Sequence, residues 1–81
     1  MTSVVTIYGK PGCHLCEQAS VTARSVCADF DARVEEINIL DDPELVDRYA
    51  EQIPVIHVNG AMHDYFHVNP DRLRAALAAG A

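Results

Sequence analysis

Two cysteines, Cys13 and Cys16, stand three positions apart just after an apolar segment with β-strand character. The residues between that segment and the cysteines, 9–12, are rich in glycine and proline, which is typical of a turn that leads into a helix. On the first turn of a helix, this spacing lets the two sulfurs reach each other. The pair can then alternate between a dithiol and a disulfide while the rest of the chain stays in place, so the spacing predicts thiol–disulfide exchange.

Exchange of this kind requires a thiolate at neutral pH, whereas a free cysteine has a pKa of about 8.5. Lowering that pKa to about 7 requires roughly 2 kcal/mol, and a helix N-terminus supplies ~0.3 to 1 kcal/mol. A second contribution is therefore expected. Pro11 suits the start of a helix, and Lys10, the only lysine in the chain, adds a positive charge beside the cysteines.

The two cysteines are expected to have different roles. Cys13 lies at the open end of the predicted helix and is the predicted nucleophile, whereas Cys16 lies one turn inside and is the predicted resolving thiol. His14 lies between them and has two interpretations. If protonated it stabilises the Cys13 thiolate, and otherwise it is an ordinary solvent-facing side chain.

A structural disulfide and half of a zinc site are the alternatives for this pair. A four-sulfur zinc site needs a second pair of cysteines, and the chain has only one further cysteine, Cys27. A structural disulfide that closes so short a loop would add little stability. Cys27 falls at the edge of a helical apolar stripe, which predicts a buried core thiol, with a regulatory thiol as the alternative. The stripe consists of Leu15, Ala19, Ala23, Val26 and Phe30.

The composition fits one small domain over residues 1–81, with 49% hydrophobic residues and a formal charge of −6. No secretory signal or membrane-spanning segment is expected, because the first residues run directly into a predicted strand. The acidic balance argues against nucleic acid as a partner. We therefore expect a cytoplasmic protein that is a monomer and contacts neither membrane nor nucleic acid.

Periodicity and turn residues predict the order βαβαββα. The predicted strands are 3–8, 33–39, 55–58 and 62–67, and the predicted helices are 13–29, 43–51 and 70–79. Helix-start signals occur at Asp42-Pro43 and Asn69-Pro70, and Asn59-Gly60 predicts a tight hairpin turn. A right-handed first crossover and a terminal hairpin give a four-stranded mixed sheet flanked by helices, with the cysteines at the carboxyl end of the first strand.

Pro54 directly precedes the third predicted strand. Taken alone, it is expected to follow an ordinary trans bond, since only ~5 to 6% of X-Pro bonds in folded proteins are cis. Combined with the paired cysteines, however, it predicts a cis Ile53–Pro54 bond.

The segment from Val5 to Cys16, together with Ile53-Pro54-Val55, resembles the glutaredoxin branch of the thioredoxin superfamily, and the match runs almost from end to end of the chain. The resemblance implies a thioredoxin-like α/β fold. No bound cofactor and no metal site are expected. It also implies that the backbone of Ile53 pairs with a bound peptide or glutathione and that Pro54 packs against the disulfide. The substrate-binding residues predicted in this way and from the active-site loop are Tyr8, Lys10, Pro11, His14, Ile53 and Pro54.

The chain departs from that family after Asn59-Gly60. Glutaredoxins that use glutathione usually have a Gly-Gly-x-Asp type segment there, and this chain has no such glycines. The stretch from Phe66 to Leu73 is instead similar to the redoxins that serve ribonucleotide reductase, which thioredoxin reductase reduces. The external reductant is thus predicted to be thioredoxin reductase with NADPH, or glutathione or another small thiol.

The function predicted from these residues is that of a dithiol-disulfide oxidoreductase acting on a disulfide-containing protein or a small-thiol mixed disulfide. The alternative is a non-catalytic redox sensor or an iron–sulfur cluster carrier. Three histidines fall on the predicted hairpin, but strand alternation pairs His57 with Met62 and places His63 and His67 on the opposite face with Ile56. A shared three-histidine metal site is therefore not expected.

Overall fold

Four strands and three helices follow one another in the computed structural model of the chain, which describes residues 2–80. A single turn of 3₁₀ helix (Ile39–Asp41) links the second strand to the second helix. The elements are β1 (Ser3–Gly9), α1 (His14–Cys27), β2 (Ala32–Asn38), α2 (Pro43–Tyr49), β3 (Val55–Val58), β4 (Ala61–Tyr65) and α3 (Pro70–Ala78). The predicted order βαβαββα is confirmed.

The strands form one sheet in the order β2-β1-β3-β4, so β1 is a central strand. It pairs in parallel with β2 and antiparallel with β3, with Ile7 opposite Ile56 in the second pairing. Helices α1 and α3 pack together on one face of the sheet. On the other face, Tyr49 of α2 contacts Tyr8 of β1. The predicted four-stranded mixed sheet flanked by helices is therefore confirmed.

The core lies between the sheet and the pair α1 and α3. Alternate residues of β1 and β3 face it, because successive side chains of a strand point to opposite faces. Full burial of one such aliphatic side chain contributes about 1.5 to 3 kcal/mol. Leu15, predicted to join the stripe, is instead 37% exposed. The buried residues of the core cluster are Val5, Ile7, Ala23, Val26, Cys27, Ile56, Val58, Leu73 and Leu77.

Helix capping explains where α2 and α3 begin. The Asp42 carboxylate accepts a hydrogen bond from the Glu44 N–H at 2.9 Å, and the Asn69 side chain accepts one from the Arg72 N–H at 3.1 Å. A proline occupies the first turn in both helices, where its missing N–H costs nothing. Both helix-start predictions are confirmed.

The β3–β4 hairpin contains the predicted tight turn, with positive φ angles of 51° at Asn59 and 85° at Gly60. His57 pairs with Met62 as expected, but a register shift follows, and Ile56 pairs with Asp64. His63 is consequently the extra residue of a bulge. The prediction that His63 and His67 would share one regular strand face is wrong, because β4 ends at Tyr65.

Three predicted boundaries differ from the structure by two residues. Helix α1 ends at Cys27 rather than at 29, and α2 ends at Tyr49 rather than at 51. Strand β4 ends at Tyr65 rather than at 67, because Phe66 has a φ of 68° and leaves the extended conformation. Within residues 2–80, no helix combines the length and apolar character needed to cross a bilayer.

Candidate active site

The paired cysteines lie where β1 ends and α1 begins. Cys13 is the N-cap residue of α1, with an extended backbone, and Cys16 lies in the first turn. The two form a disulfide with their Cα atoms 5.2 Å apart. The Cys16 N–H points back at the Cys13 Sγ at 3.2 Å and donates a hydrogen bond to it. A backbone donor at a helix N-terminus favours negative charge on its acceptor, so this geometry stabilises a thiolate at Cys13.

The two sulfurs differ in accessibility. Cys16 is only 8% exposed, whereas Cys13 is half-buried and lies at the protein surface. A molecule that approaches from solvent therefore meets Cys13 first.

Gly9 is a residue of this site that the sequence analysis missed. A Cβ atom added to it would lie 2.8 Å from the Cys16 Sγ and 3.1 Å from the Cys16 Cβ. Both distances are closer than a real Cβ tolerates without a shift of its neighbour. The end of β1 thus needs glycine for space, so that the inner sulfur can pack against the backbone. The signal in the sequence is a glycine that directly ends the strand before the cysteine loop.

The loop residues beside Cys13 face solvent. Lys10, Pro11 and His14 are all exposed, and the Lys10 carbonyl accepts a hydrogen bond from the Cys13 N–H at 3.4 Å. The His14 side chain is 88% exposed, and its Nδ1 lies 4.0 Å from the Glu17 carboxylate. These three side chains therefore lie at the surface and are not fixed by the core.

The Ile53–Pro54 peptide bond is cis in the structure. Because Tyr8 pairs with Val55, the register places Pro54 level with Gly9, next to the start of the cysteine loop. Pro54 is buried and Ile53 is half-buried. The β3 strand therefore brings both residues to the same edge of the sheet as the cysteines.

Phe66 is a second residue that the sequence analysis missed. Its N–H donates a hydrogen bond to the Pro54 carbonyl at 2.8 Å, which ties the segment after β4 to the proline. Its φ of 68° is rare for a residue other than glycine. The ring is 39% exposed and lies 4.9 Å from the ring of Tyr65. The sequence carries no signal for this conformation, since an aromatic residue does not favour it.

Tyr8 belongs to a cluster of three rings on the α2 face of the sheet. Its ring centroid lies 5.0 Å from that of Tyr49 and 4.9 Å from that of His57. The Tyr49 hydroxyl lies 3.5 Å from the His57 Nε2. Burial lowers the pKa of His57. Tyr8, predicted to bind substrate, therefore packs within this cluster, one residue before the end of β1.

Acidification is expected to destabilise the folded protein through two histidines. Burial lowers the pKa of His57, and burial together with the Arg72 charge lowers the pKa of His63 against the opposing effect of Asp64. The unfolded chain then binds more protons than the folded one below about pH 6.5. The free energy of unfolding should therefore decrease as the pH falls from 7 towards 5.

Urea unfolding at pH 5, 6 and 7 measures this effect. His57→Gln and His63→Gln should each flatten the pH dependence, and His14→Gln, at a largely exposed position, serves as the matched control. A pH dependence that is equally steep in all four proteins would contradict the assignment to the two half-buried rings of His57 and His63.

The polar groups around His63 form hydrogen bonds with one another. Arg72 lies 3.1 Å from the Asp64 carboxylate and also donates to the His63 carbonyl at 3.3 Å. Asp64 additionally accepts a hydrogen bond from the Tyr65 N–H at 3.0 Å. Between residues 2 and 80, no three His, Cys, Asp or Glu side chains come together in a way that could hold a metal ion.

A cavity of about 340 Å³ lies on the β2 side of the disulfide. Its walls include Gly9, Cys16 and the end of β2, and its charged lining residues are Lys10, Glu17 and Glu36. The cavity contacts the inner cysteine and not Cys13. The inner cysteine is therefore the one of the pair that borders this cavity.

Cys27 is a free cysteine, 4% exposed, in the core beneath α1. Burial raises the pKa of its thiol, and the Arg24 charge opposes this only in part. The predicted buried core thiol is confirmed, and Cys27 takes no part in the site.

Comparisons with known proteins agree with this geometry. Residues 4–78 match the family model for the glutaredoxin-like domain (DUF836). The solution structure of protein Ne2328 from Nitrosomonas europaea is 25% identical, with a TM-score of 0.80 over 91% of this chain and 89% of that one. The X-ray structure of protein XcR50 from X. campestris is 29% identical, with a TM-score of 0.76 over 93% of this chain and 96% of that one.

A thioredoxin provides a more distant match in fold. The structure of a mutant thioredoxin from Halobacterium salinarum is 17% identical, with a TM-score of 0.66 over 95% of this chain and 73% of that one. The family match covers nearly the whole chain and includes both cysteines and Pro54. The fold and the paired cysteines support a role in thiol redox chemistry, and the chain belongs to the family of glutaredoxin-like domains (DUF836).

Proposed function

We propose that the protein is a dithiol-disulfide oxidoreductase that reduces protein disulfides or mixed disulfides with a small thiol. The observation that carries this proposal is the asymmetry of the cysteine pair. Cys13 lies at the surface with its sulfur accepting the Cys16 N–H at 3.2 Å, whereas Cys16 is buried. A half-buried thiolate at the surface that accepts a backbone hydrogen bond, beside a buried partner, suits a nucleophile and its resolving thiol.

The reaction begins with the reduced pair. The Cys13 thiolate attacks one sulfur of the substrate disulfide, that bond breaks, and the other substrate sulfur leaves as a thiolate. The Cys16 thiol then loses its proton and attacks the Cys13 Sγ, which releases the second substrate sulfur. Two electrons pass to the substrate, and the protein is left with the Cys13–Cys16 disulfide that the structure contains.

The backbone of Ile53 is the proposed contact for an extended substrate. Ile53 lies just before β3 and is half-buried. In the described part of the chain, its N–H and C=O make no hydrogen bond with a turn or loop. A free donor and acceptor beside an open strand end can pair with a peptide backbone. Tyr8, Lys10, Pro11 and His14 remain the proposed surroundings of the bound disulfide.

The proposed electron donor is external, because the cycle ends with an oxidised pair. Thioredoxin reductase with NADPH, or glutathione or another small thiol, would return two electrons to Cys13 and Cys16. The proposed location is the cytoplasm, where such donors keep thiols reduced.

A single-turnover assay tests the proposed function. The protein is reduced with dithiothreitol, desalted and mixed with hydroxyethyl disulfide, and samples are quenched with acid for mass spectrometry. The expected result is the loss of two of the three thiols, with the new disulfide mapped to Cys13 and Cys16. A protein that keeps all three thiols, while free dithiothreitol reacts under the same conditions, would overturn the proposal.

A paired assay then identifies the electron donor. The oxidised protein is incubated with thioredoxin reductase and NADPH, and separately with glutathione, glutathione reductase and NADPH. NADPH loss in only one mixture identifies the donor. Loss in neither favours either a non-catalytic redox sensor or another small thiol as the donor, and direct reduction with a panel of thiols separates these two.

A further inference from the structure

The outer edge of β2 carries backbone groups that no neighbouring strand meets, because β2 lies at one end of the sheet. Ser3 of β1 is opposite Ala32, and its N–H donates to the Asp31 carbonyl at 2.9 Å. Backbone groups alternate in direction along a strand, so the odd-numbered residues of β2 bond to β1 and the even-numbered ones, Ala32, Val34 and Glu36, point outward. Within residues 2–80, no backbone group of a turn or loop bonds to these three.

The two edges of the sheet differ in how well they are protected against pairing. Proteins usually blunt an edge with a short strand, a bulge, proline, lysine or a covering segment. Strand β4 is five residues long and contains the bulge at His63. Strand β2 is seven residues long, has neither proline nor lysine, and keeps one unbroken register with β1. Strand β2 is therefore the edge suited to accept a further strand.

The charges of β2 follow an order that a second copy of the strand can match. Arg33 and Glu35 are two residues apart, so they lie on the same face of the strand, and both are exposed. In the single chain they contact each other, with the Arg33 Nη2 3.1 Å from the Glu35 carboxylate. An exposed ion pair of this kind adds little stability. Exchanging it for an equivalent contact with another chain therefore costs little.

We propose that two copies of this chain form a dimer through β2, paired antiparallel about a two-fold axis at Val34. In this register Val34 lies opposite Val34 of the second copy and Ala32 lies opposite Glu36, so the outward N–H and C=O groups gain partners. Arg33 lies opposite Glu35 on both sides of the axis, which adds cross-strand pairs of opposite charge. An axis at Arg33 or at Glu35 would instead place like charges directly opposite each other.

The self-complementary charge order identifies the occupant as a second copy. A two-fold axis sets each surface patch against itself, and only a strand with opposite charges on either side of the axis gains from this. An unrelated peptide would make the same backbone hydrogen bonds without matching Arg33 and Glu35. The formal charge of −6 on each chain opposes association. We therefore expect a dimer that dissociates on dilution, in place of the monomer expected from composition.

The dimer contact lies next to the cavity beside the inner cysteine. Glu36, Ile37 and Asn38 at the end of β2 line that cavity together with Cys16. In the proposed register Ile37 lies opposite Asp31 of the second copy, so the start of the second β2 borders the cavity. No step of this inference uses the reactivity of the cysteines, and it is independent of the proposed function.

Sedimentation velocity of the oxidised protein, from about 10 µM to about 1 mM, tests the proposal. A non-reducing gel checks that any dimer is not covalent. The expected result for the natural chain is a shift from monomer to dimer as the concentration rises. Arg33→Glu and Glu35→Arg should each raise the dissociation constant about tenfold or more, because each places like charges opposite one another on both sides of the axis.

An equal mixture of Arg33→Glu and Glu35→Arg should form dimers again. One variant then supplies only acidic side chains at positions 33 and 35, and the other supplies only basic ones. This recovery also shows that both variants are folded. Arg48→Glu and Glu51→Arg are the matched controls, since they make the same charge changes at exposed positions outside β2. Each control should form dimers like the natural chain.

Amide hydrogen exchange, followed by NMR, locates the contact. The outward N–H groups of Ala32, Val34 and Glu36 should exchange more slowly at high protein concentration than at low concentration. The N–H groups of Arg33 and Glu35 bond to β1 in both states and should change less.

Three results would overturn the proposal. The first is a natural chain that stays monomeric at the highest concentration, which would exclude a second copy as the occupant of this edge. The second is a dimer in which the outward amides of β2 exchange equally fast at both concentrations, because the contact would then lie elsewhere. The third is dimer formation that neither Arg33→Glu nor Glu35→Arg weakens.

Discussion

Replacing Cys13 by serine is expected to abolish disulfide reduction, with a loss of more than about a thousandfold in turnover, because serine cannot supply a thiolate. Replacing Cys16 by serine should have a different result. The first attack at Cys13 still occurs, since the outer sulfur is accessible, but no thiol remains to resolve the mixed disulfide. The substrate should therefore accumulate covalently bound to Cys13, which intact-mass spectrometry detects as the added mass of one substrate half.

Cys27→Ala provides the matched control for both variants. It removes the third thiol from the core, and any loss of stability can be measured separately by urea unfolding. Its rate of disulfide reduction should stay close to that of the natural chain. A Cys13→Ser protein that reduced disulfides at the natural rate would show that Cys13 is not the nucleophile. A mixed disulfide found on Cys27 in Cys16→Ser would have the same implication.

Substitution of Gly9 by alanine should shift the equilibrium between dithiol and disulfide towards the dithiol. The added Cβ would lie 2.8 Å from the Cys16 Sγ. In the reduced protein the Cys16 Sγ can rotate away from the added Cβ, whereas in the oxidised protein its bond to Cys13 prevents this. The 3.1 Å approach to the Cys16 Cβ is common to both states. Overpacking of this kind typically costs about 1 to 3 kcal/mol, which corresponds to roughly a 5- to 150-fold change in the equilibrium.

Titration against dithiothreitol mixtures, with the redox state read by mass spectrometry, measures this shift. For a two-electron couple the expected change in potential is about 20 to 65 mV, towards a more readily reduced disulfide. Gly60→Ala is the control, because its φ of 85° makes alanine unfavourable while no atom lies within 4 Å of the added Cβ. The Gly60→Ala protein should lose stability with no change in reduction potential. A Gly9→Ala protein with the same reduction potential as Gly60→Ala would refute the steric explanation.

The fold could be predicted largely because local signals and global topology agree. Capping residues such as Asp42 and Asn69 fix helix starts by their own side chains, and Asn59-Gly60 fixes the hairpin by its backbone preference. The position of Cys13 and Cys16 follows directly from the strand and helix that flank them. These features depend on neighbours in sequence, so one sequence is sufficient to find them.

The remainder of the site depends on contacts between distant segments. Phe66 takes a backbone conformation that its own side chain disfavours, because a hydrogen bond to Pro54 holds it. Tyr8 meets His57 and Tyr49 only because β1, β3 and α2 converge on one face. The bulge at His63 likewise changes the register of β4. No local pattern encodes such contacts, and an isolated sequence therefore does not predict them.

The central position of β1 has a consequence for how the protein is made. Cys13, Cys16 and Cys27 are all synthesised before β3, the strand that completes the pairing of β1. Until residues 55–58 have been added, the core that buries Cys27 is incomplete, and three thiols share one unfinished chain. Each could then form a disulfide with either of the others, and only one of the three pairings occurs in the finished fold. We expect refolding of the reduced chain to yield the correct pair more completely when oxidation follows folding than when it precedes it.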